Sequence, residues 1–303
     1  MIIVPSNEIL EQWVEDYVPR KDLFFLAEGN IEKLQGHLRN VLIMPSTEFF
    51  NHTSYTQIEL MNSYEYWNIK NASHVIVAQP DWIVGVAEEI RTFLLQCQVK
   101  IERGLVLPKT FIADLTEVPE DYIIDDLVVL QSSMWEGMSQ SNKKMIIKKM
   151  VAEWWEDGAC EEVPEELPPH LMPYANTYAT TAGANCLAAA LYAVSDKESE
   201  WLLQEWIHQQ AFLNGLQQLG YAVYEQDETL IAGDVVAWID NDEVIQHASY
   251  YVGNRLFFNK QGQTIFNAWK VRKEADLMKD WSSMQMKIYR NLNKKVKKFK
   301  VDA

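Results

Sequence analysis

The chain has 303 residues, 48% hydrophobic and 12% aromatic, with a formal net charge of −16. That is enough apolar material for one large or two ordinary packed domains, and it excludes a disordered chain. The negative field disfavours DNA, RNA and anionic membranes as main partners, and no apolar run is long enough to span a bilayer. The first residues lack the pattern of a signal peptide, and three cysteines without metal-ligand or C-x-x-C spacing suit a reducing compartment, so a cytoplasmic location is expected.

Residues 1–155 read as a mixed α/β region of unknown role. "NVLIMP" (40–45) and "SHVIVAQP" (73–80) are short apolar runs ended by proline, as in buried strands. "DWIVGVAEEIRTFLLQC" (81–97) has helical spacing, with Asp81 as the expected cap and Cys97 on the core face. "SNKKMIIKKMVAEWW" (141–155) predicts an amphipathic helix capped by Ser141 or Asn142. No glycine-rich phosphate loop or repeat period appears. Residues 156–173 combine prolines with six acids and no period, which reads as a solvated linker holding Cys160.

From residue 174 the pattern sharpens. "NCLAAALYAV" (185–194) predicts a helix with Asn185 as N-cap and Cys186 in its first turn. A second helix is expected from the Ser195/Glu198 capping pattern to a stop at Gly220, with His208 an ordinary mid-helix residue. After Gly220 the period becomes two. "YAVYEQ", "DVVAWID", "EVIQHASYYV" and "RLFFNKQGQTIFNAW" are strands of an antiparallel sheet, with "VGNR" (252–255) a hairpin turn. The domain is taken to end near residue 280, leaving 281–303 as a basic tail. "KIYRNLNKKVKKFK" (287–300) is read as docking on the acidic body.

Cys186 is either a small buried residue or a nucleophile. A thiol at a helix N-terminus is favoured as thiolate by the macrodipole and by unsatisfied N–H groups, which also suit an oxyanion. A histidine base and a third polar group to orient it complete such a site. His247 precedes the hairpin. A three-residue turn at Gly253–Arg255 would return Asn259 opposite it, whereas a two-residue turn would bring Lys260, which has no acceptor for an imidazole N–H. No H-E-x-x-H cluster and no G-x-S-x-G elbow offers another hydrolytic centre.

The order of Cys186, "AGDVVAW" (232–238) and "HASYYVGNRLFFN" (247–259) resembles the NlpC/P60 superfamily of papain-like cysteine hydrolases, over about residues 170–270. The resemblance implies an α+β, papain-like fold over 174–280. Cys186 would be nucleophile, His247 base and Asn259 third member, with Gly233 and Asp234 at the turn into the central strand. Tyr174, with Tyr178 as rival, would take the place of the active-site tyrosine. Asn185 and the Cys186 N–H border the expected oxyanion site. Many members read Asp-Cys-Ser where this chain reads Asn185-Cys186-Leu187, and the usual Trp-Gly-Gly segment is missing, so the likeness points to Cys-His chemistry more than to cell-wall stem peptides. The expected activity is amide hydrolysis through a thioester, on a peptide or small amide, with no cofactor. An acyltransferase or thioesterase using the same pair, or a non-catalytic binding module, stands as the alternative.

Overall fold

A computed structural model describes residues 1–155, 158–226 and 229–292. The chain is mixed α/β with antiparallel sheets and divides into two compact units, Ser6–Trp154 and a second made of Met1–Pro5 with Trp155–Ala303.

The first unit holds two small sheets. Strands β1 (Asp22–Leu26), β2 (Leu42–Pro45) and β3 (His74–Ala78) pair in the order β1-β3-β2. Strands β4 (Val106–Pro108), β5 (Ile123–Ile124) and β6 (Leu127–Val129) pair as β4-β6-β5. The two apolar runs ended by proline become β2 and β3; β3 is buried as expected, whereas β2 is largely exposed, and the buried faces belong to β1 and β3. The helix expected over 81–97 starts later. Residues Ile83–Gly85 form a short 3-10 turn, Val86 is extended, and the α-helix runs Glu88–Ile101 with Ala87, not Asp81, at its cap. Cys97 is buried on that helix, as its spacing implied. The next amphipathic helix is Gln140–Met150, capped by the Ser139 hydroxyl rather than Ser141 or Asn142, and it passes into a π-helical turn, Val151–Trp155.

The second unit is built on one six-stranded antiparallel sheet. Its strands are β7 (Tyr221–Tyr224), β8 (Val235–Ile239), β9 (Ile245–Gly253), β10 (Leu256–Lys260), β11 (Trp269–Lys273) and β12 (Gln285–Asn291), in the order β11-β10-β9-β8-β12-β7. The helix Cys186–Val194 packs on one face against β9 and β10, its alanines and leucines sharing a core with Val235, Ala237, Ala248, Tyr250, Val252 and Phe258. Trp238, Tyr251, Phe257 and Leu277 fill the other face. Alternation along each strand separates these two sets.

Three boundaries differ from expectation. The 158–173 segment is not a free linker: Leu167 and Leu171 are buried in the helix-side core, Cys160 is buried, and the Glu161 N–H donates to Val271 O at 2.8 Å. The 281–303 segment is not wholly a tail, because β12 lies between β8 and β7 and completes the sheet. Residues 293–303 of the basic stretch lie outside the described residues. The single helix expected from 195 to 220 is two pieces, a 3-10 run Lys197–Gln204 and an α-helix Gln209–Gln218. Ser195 ends the preceding helix, its hydroxyl donating to Leu191 O, and His208 is the N-cap residue of Gln209–Gln218. Gly220 does end that helix, at φ +81°. Among the described residues no helix is long and apolar enough to cross a membrane.

Candidate active site

The small-residue run before Cys186 has a steric reason. Gly183 has φ +138°, and a Cβ there would lie 2.5 Å from Gln204 O. Only glycine allows the loop to pass so close to the 3-10 run before it turns into the helix. Gly183→Ala is expected to lower the unfolding free energy of the second unit by about 1–3 kcal/mol. Urea unfolding would measure this, and an unchanged midpoint would remove the steric argument.

Asn185 is the helix N-cap as read from sequence. Its Oδ1 accepts from the Ala188 N–H at 3.0 Å and its Nδ2 donates to Ile207 O at 2.8 Å. Both ends of the amide thus have structural partners, which account for Asn185 as a cap without a role at an oxyanion. Asn185→Ala is expected to cost about 1–2 kcal/mol, since it removes a cap and leaves the Ile207 carbonyl without that donor. A loss under a few tenths in chemical denaturation would show that the cap is dispensable.

Cys186 opens the helix, half-buried against the core formed with Ala248. The surrounding core pushes its thiol upward. The N–H groups of Ala248, Leu187 and Cys186 itself, together with the Lys260 ammonium, act against that rise. The contact with Ala248 follows from the sheet. The β9–β10 pairing ends at Phe258↔Tyr250, although both strands continue beyond it. The Tyr251 N–H donates to Asp234 O on the β8 side, so Ala248, an odd number of residues away, turns its N–H toward β10. The thiol meets that N–H where the ladder stops.

The hairpin differs in detail from the expected three-residue turn. Asn254 and Arg255, both with positive φ, form a two-residue turn closed by Gly253↔Leu256, and a register shift follows between Leu256 and Phe257. With Phe257↔Tyr251 and Phe258↔Tyr250, Asn259 falls beside Ser249 and diagonal to His247, rather than directly opposite. The diagonal still brings the two together. His247 Nε2 is 2.6 Å from Asn259 Oδ1 and 3.1 Å from Ser249 Oγ, and the Ser249 hydroxyl donates to the same Asn259 Oδ1 at 2.6 Å. Asn259 Nδ2 donates to Gln261 Oε1, which fixes the amide with its oxygen toward the ring. The imidazole proton therefore sits on Nε2, and Nδ1 carries the lone pair.

His247 and Asn259 are fully buried. The imidazole stacks on Trp281, with centroids 4.6 Å apart and planes at 9°, and lies 5.5 Å from the Trp238 ring. Burial depresses its pKa to about 4, against the opposing hydrogen bond to Asn259, so it is neutral at pH 7. Its Nδ1 has no hydrogen-bond partner among the described residues. The ring occupies the Trp238 face, while the Cys186 helix packs on the Ala248 face, and the thiol touches the strand one residue from His247 without a hydrogen bond to the ring. The structure thus assembles His247 with Asn259, and leaves the Cys186–His247 link unmade.

Tyr174 donates to Glu200 and packs edge-on against Tyr192 and Trp269. With His170, Tyr192, Lys197 and Glu200 it borders a cavity of about 620 Å³. Tyr178 is buried at 5% exposure, so it presents no surface to a substrate. Asp234 is tied by both oxygens to Arg290 on β12, at 2.8 and 2.7 Å, a structural role for the turn that the resemblance singled out. Sequence reasoning missed Ser249, Gln261 and Trp281. Ser249 was available from period two, lying two residues from His247. Trp281 was hidden because it falls after the expected domain end.

No family model, no curated protein and no solved structure matches the chain.

Proposed function

We propose that the second unit is a cysteine hydrolase of the papain-like, NlpC/P60 kind, cleaving an amide bond in a peptide or small molecule. The observation that carries this reading is His247. Its Nε2–H is held by an asparagine carbonyl, while its Nδ1 lone pair is buried and bare. An unpaired buried acceptor costs about 1–3 kcal/mol, which a purely structural histidine would be expected to avoid.

In this reading Cys186 and His247 rest as a neutral pair. As Sγ attacks the substrate carbonyl carbon, its proton passes to Nδ1, and Asn259 Oδ1 stabilises the imidazolium. The Cys186 N–H at the helix start faces the developing oxyanion. The imidazolium then protonates the leaving amine and a thioester remains. Water, deprotonated by Nδ1, releases the acid and regenerates the thiol. Acyl transfer follows the same path with another nucleophile in place of water. The alternative of a binding protein that keeps the fold draws on a separate observation, the imidazole packed on the face opposite the Cys186 helix.

The test is labelling of the full chain by a peptidyl chloromethyl ketone or epoxide, read by peptide mass spectrometry. Selective modification of Cys186, lost in His247→Ala, supports the hydrolase. Modification of Cys186 no faster than Cys97 and Cys160 would leave the binding reading.

A further inference from the structure

We propose that the Lys260 ammonium is a fixed positive charge that stabilises the Cys186 sulfur as it gives up its proton, acting from the strand next to the base. This rests on the hydrolase reading and deepens it.

The argument begins with strand alternation. Phe258 lies in the core under the Cys186 helix, so Lys260, two residues on, points to the same face, while Asn259 points to His247. Lys260 pairs across the ladder with Trp269, a member of that helix-side core, and its ammonium lies 5.4 Å from the Trp269 ring centroid. The residue is 1% exposed. A lysine so deeply placed is rare, and its charge carries far in a medium with little water. Nζ donates to Thr264 O at 3.0 Å and to Asn267 O. The 264–267 turn is itself braced by Asn267 Oδ1, which accepts from the Thr264 N–H and hydroxyl. The ammonium is thus held in one place by two carbonyls rather than swinging on a flexible stem.

Its charge adds to the Ala248, Leu187 and Cys186 N–H groups that oppose the larger upward push of burial on the thiol. The other charged or titratable groups near the thiol serve this less well. From β9 there is His247, neutral at pH 7. Tyr192 lies on the thiol's own helix, and Tyr174 is bonded to Glu200. On β11, Lys270 pairs with Asn259 and so belongs to the opposite face. A papain-like site normally balances its thiolate with an imidazolium. Here the histidine resists protonation, and the lysine that follows its asparagine partner in sequence supplies the positive charge, on the thiol's side of the sheet. Adjacent residues 259 and 260 would then divide the work: Asn259 orients the base and Lys260 supports the nucleophile.

The experiment is the pH dependence of iodoacetamide alkylation at Cys186 in the full chain, comparing the parent with Lys260→Met and Lys260→Arg. Cys97 and Cys160 in the same digests report whether each variant keeps its fold. Lys260→Met is expected to raise the Cys186 midpoint by one pH unit or more, slowing alkylation about tenfold below it, while Lys260→Arg stays within half a unit of the parent. A parent-like midpoint in a folded Lys260→Met overturns the inference. Should Lys260→Met expose Cys97 and Cys160, Lys260→Arg decides: a midpoint shifted upward by a unit despite the retained charge also overturns it. Failure of the hydrolase reading looks different, because it shows in the parent as absent active-site labelling, whatever Lys260 does.

Discussion

His247→Ala is expected to slow alkylation of Cys186 at pH 7 by about 10²-fold, the lower end of what a positioned general base contributes. The thiol is held up by its sheltered position and the imidazole is held neutral, so neither group is pre-ionised. Reaction at neutral pH then depends on proton transfer during attack, and removing Nδ1 removes the acceptor. Above the thiol's own midpoint the parent and the variant should converge, because hydroxide in bulk water then does the work. Asn259→Ala should act in the same direction but less, since Ser249 Oγ still lies 3.1 Å from Nε2. Equal rates for parent and His247→Ala across pH 6–8 would dissociate the histidine from the cysteine and return the site to a binding role.

Acidification is expected to weaken the second unit while strengthening the first. His247 has a folded pKa near 4 against 6.5 for the free side chain, because burial disfavours the imidazolium. A depressed pKa means that the unfolded chain binds the proton more readily. The stability tied to neutral His247 is therefore complete above pH 6.5 and disappears as pH falls to about 4, a loss of roughly 3 kcal/mol at 1.36 kcal/mol per unit. Asp22 in the first unit behaves oppositely. Burial raises it from 3.8 to about 6, against hydrogen bonds from Ser132 and the charge of Arg103. Its folded form prefers the proton, so that contribution is present below pH 3.8 and is lost as pH rises through 6. Cys97 and Cys160, buried in the first and second unit respectively, report the two transitions separately. Their labelling by a dithiodipyridine along a urea series at pH 7 and pH 5 should show the Cys160 midpoint falling and the Cys97 midpoint rising. His247→Gln should flatten the first trend and Asp22→Asn the second. Parallel movement of both midpoints would contradict the assignment.

Much of the second unit was legible because its signals are local. A run of alanine and leucine after an asparagine makes a capped helix whatever it packs on, and Asn185 caps it as read. Period-two aromatic and β-branched segments gave four of its strands. The elements that failed were those whose conformation depends on contacts distant in sequence. Residues 195–220 have good helical spacing but break near Gln204, whose carbonyl is the one Gly183 approaches. β12 looked like a tail because its basic residues hide a strand that is stable only between β7 and β8. Residues 158–173 looked like a linker because their few apolar residues have no period, and yet Leu167 and Leu171 find the core.

The sequence by itself determined that a cysteine would start a helix and that a histidine and an asparagine twelve residues apart would share one hairpin, since capping and two-residue periodicity act within a few residues. Only the tertiary structure decided the rest. A two-residue turn followed by a register shift set Phe257 against Tyr251, which leaves Asn259 beside Ser249 and diagonal to His247, where its oxygen still reaches Nε2. The end of the β9–β10 ladder turned the Ala248 N–H toward the thiol, and the folding-back of residues 274–281 laid Trp281 on the imidazole. Register, strand separation and burial are set by how whole elements pack, and it is those three that fix which nitrogen of His247 is left bare and how far it is from its thiol.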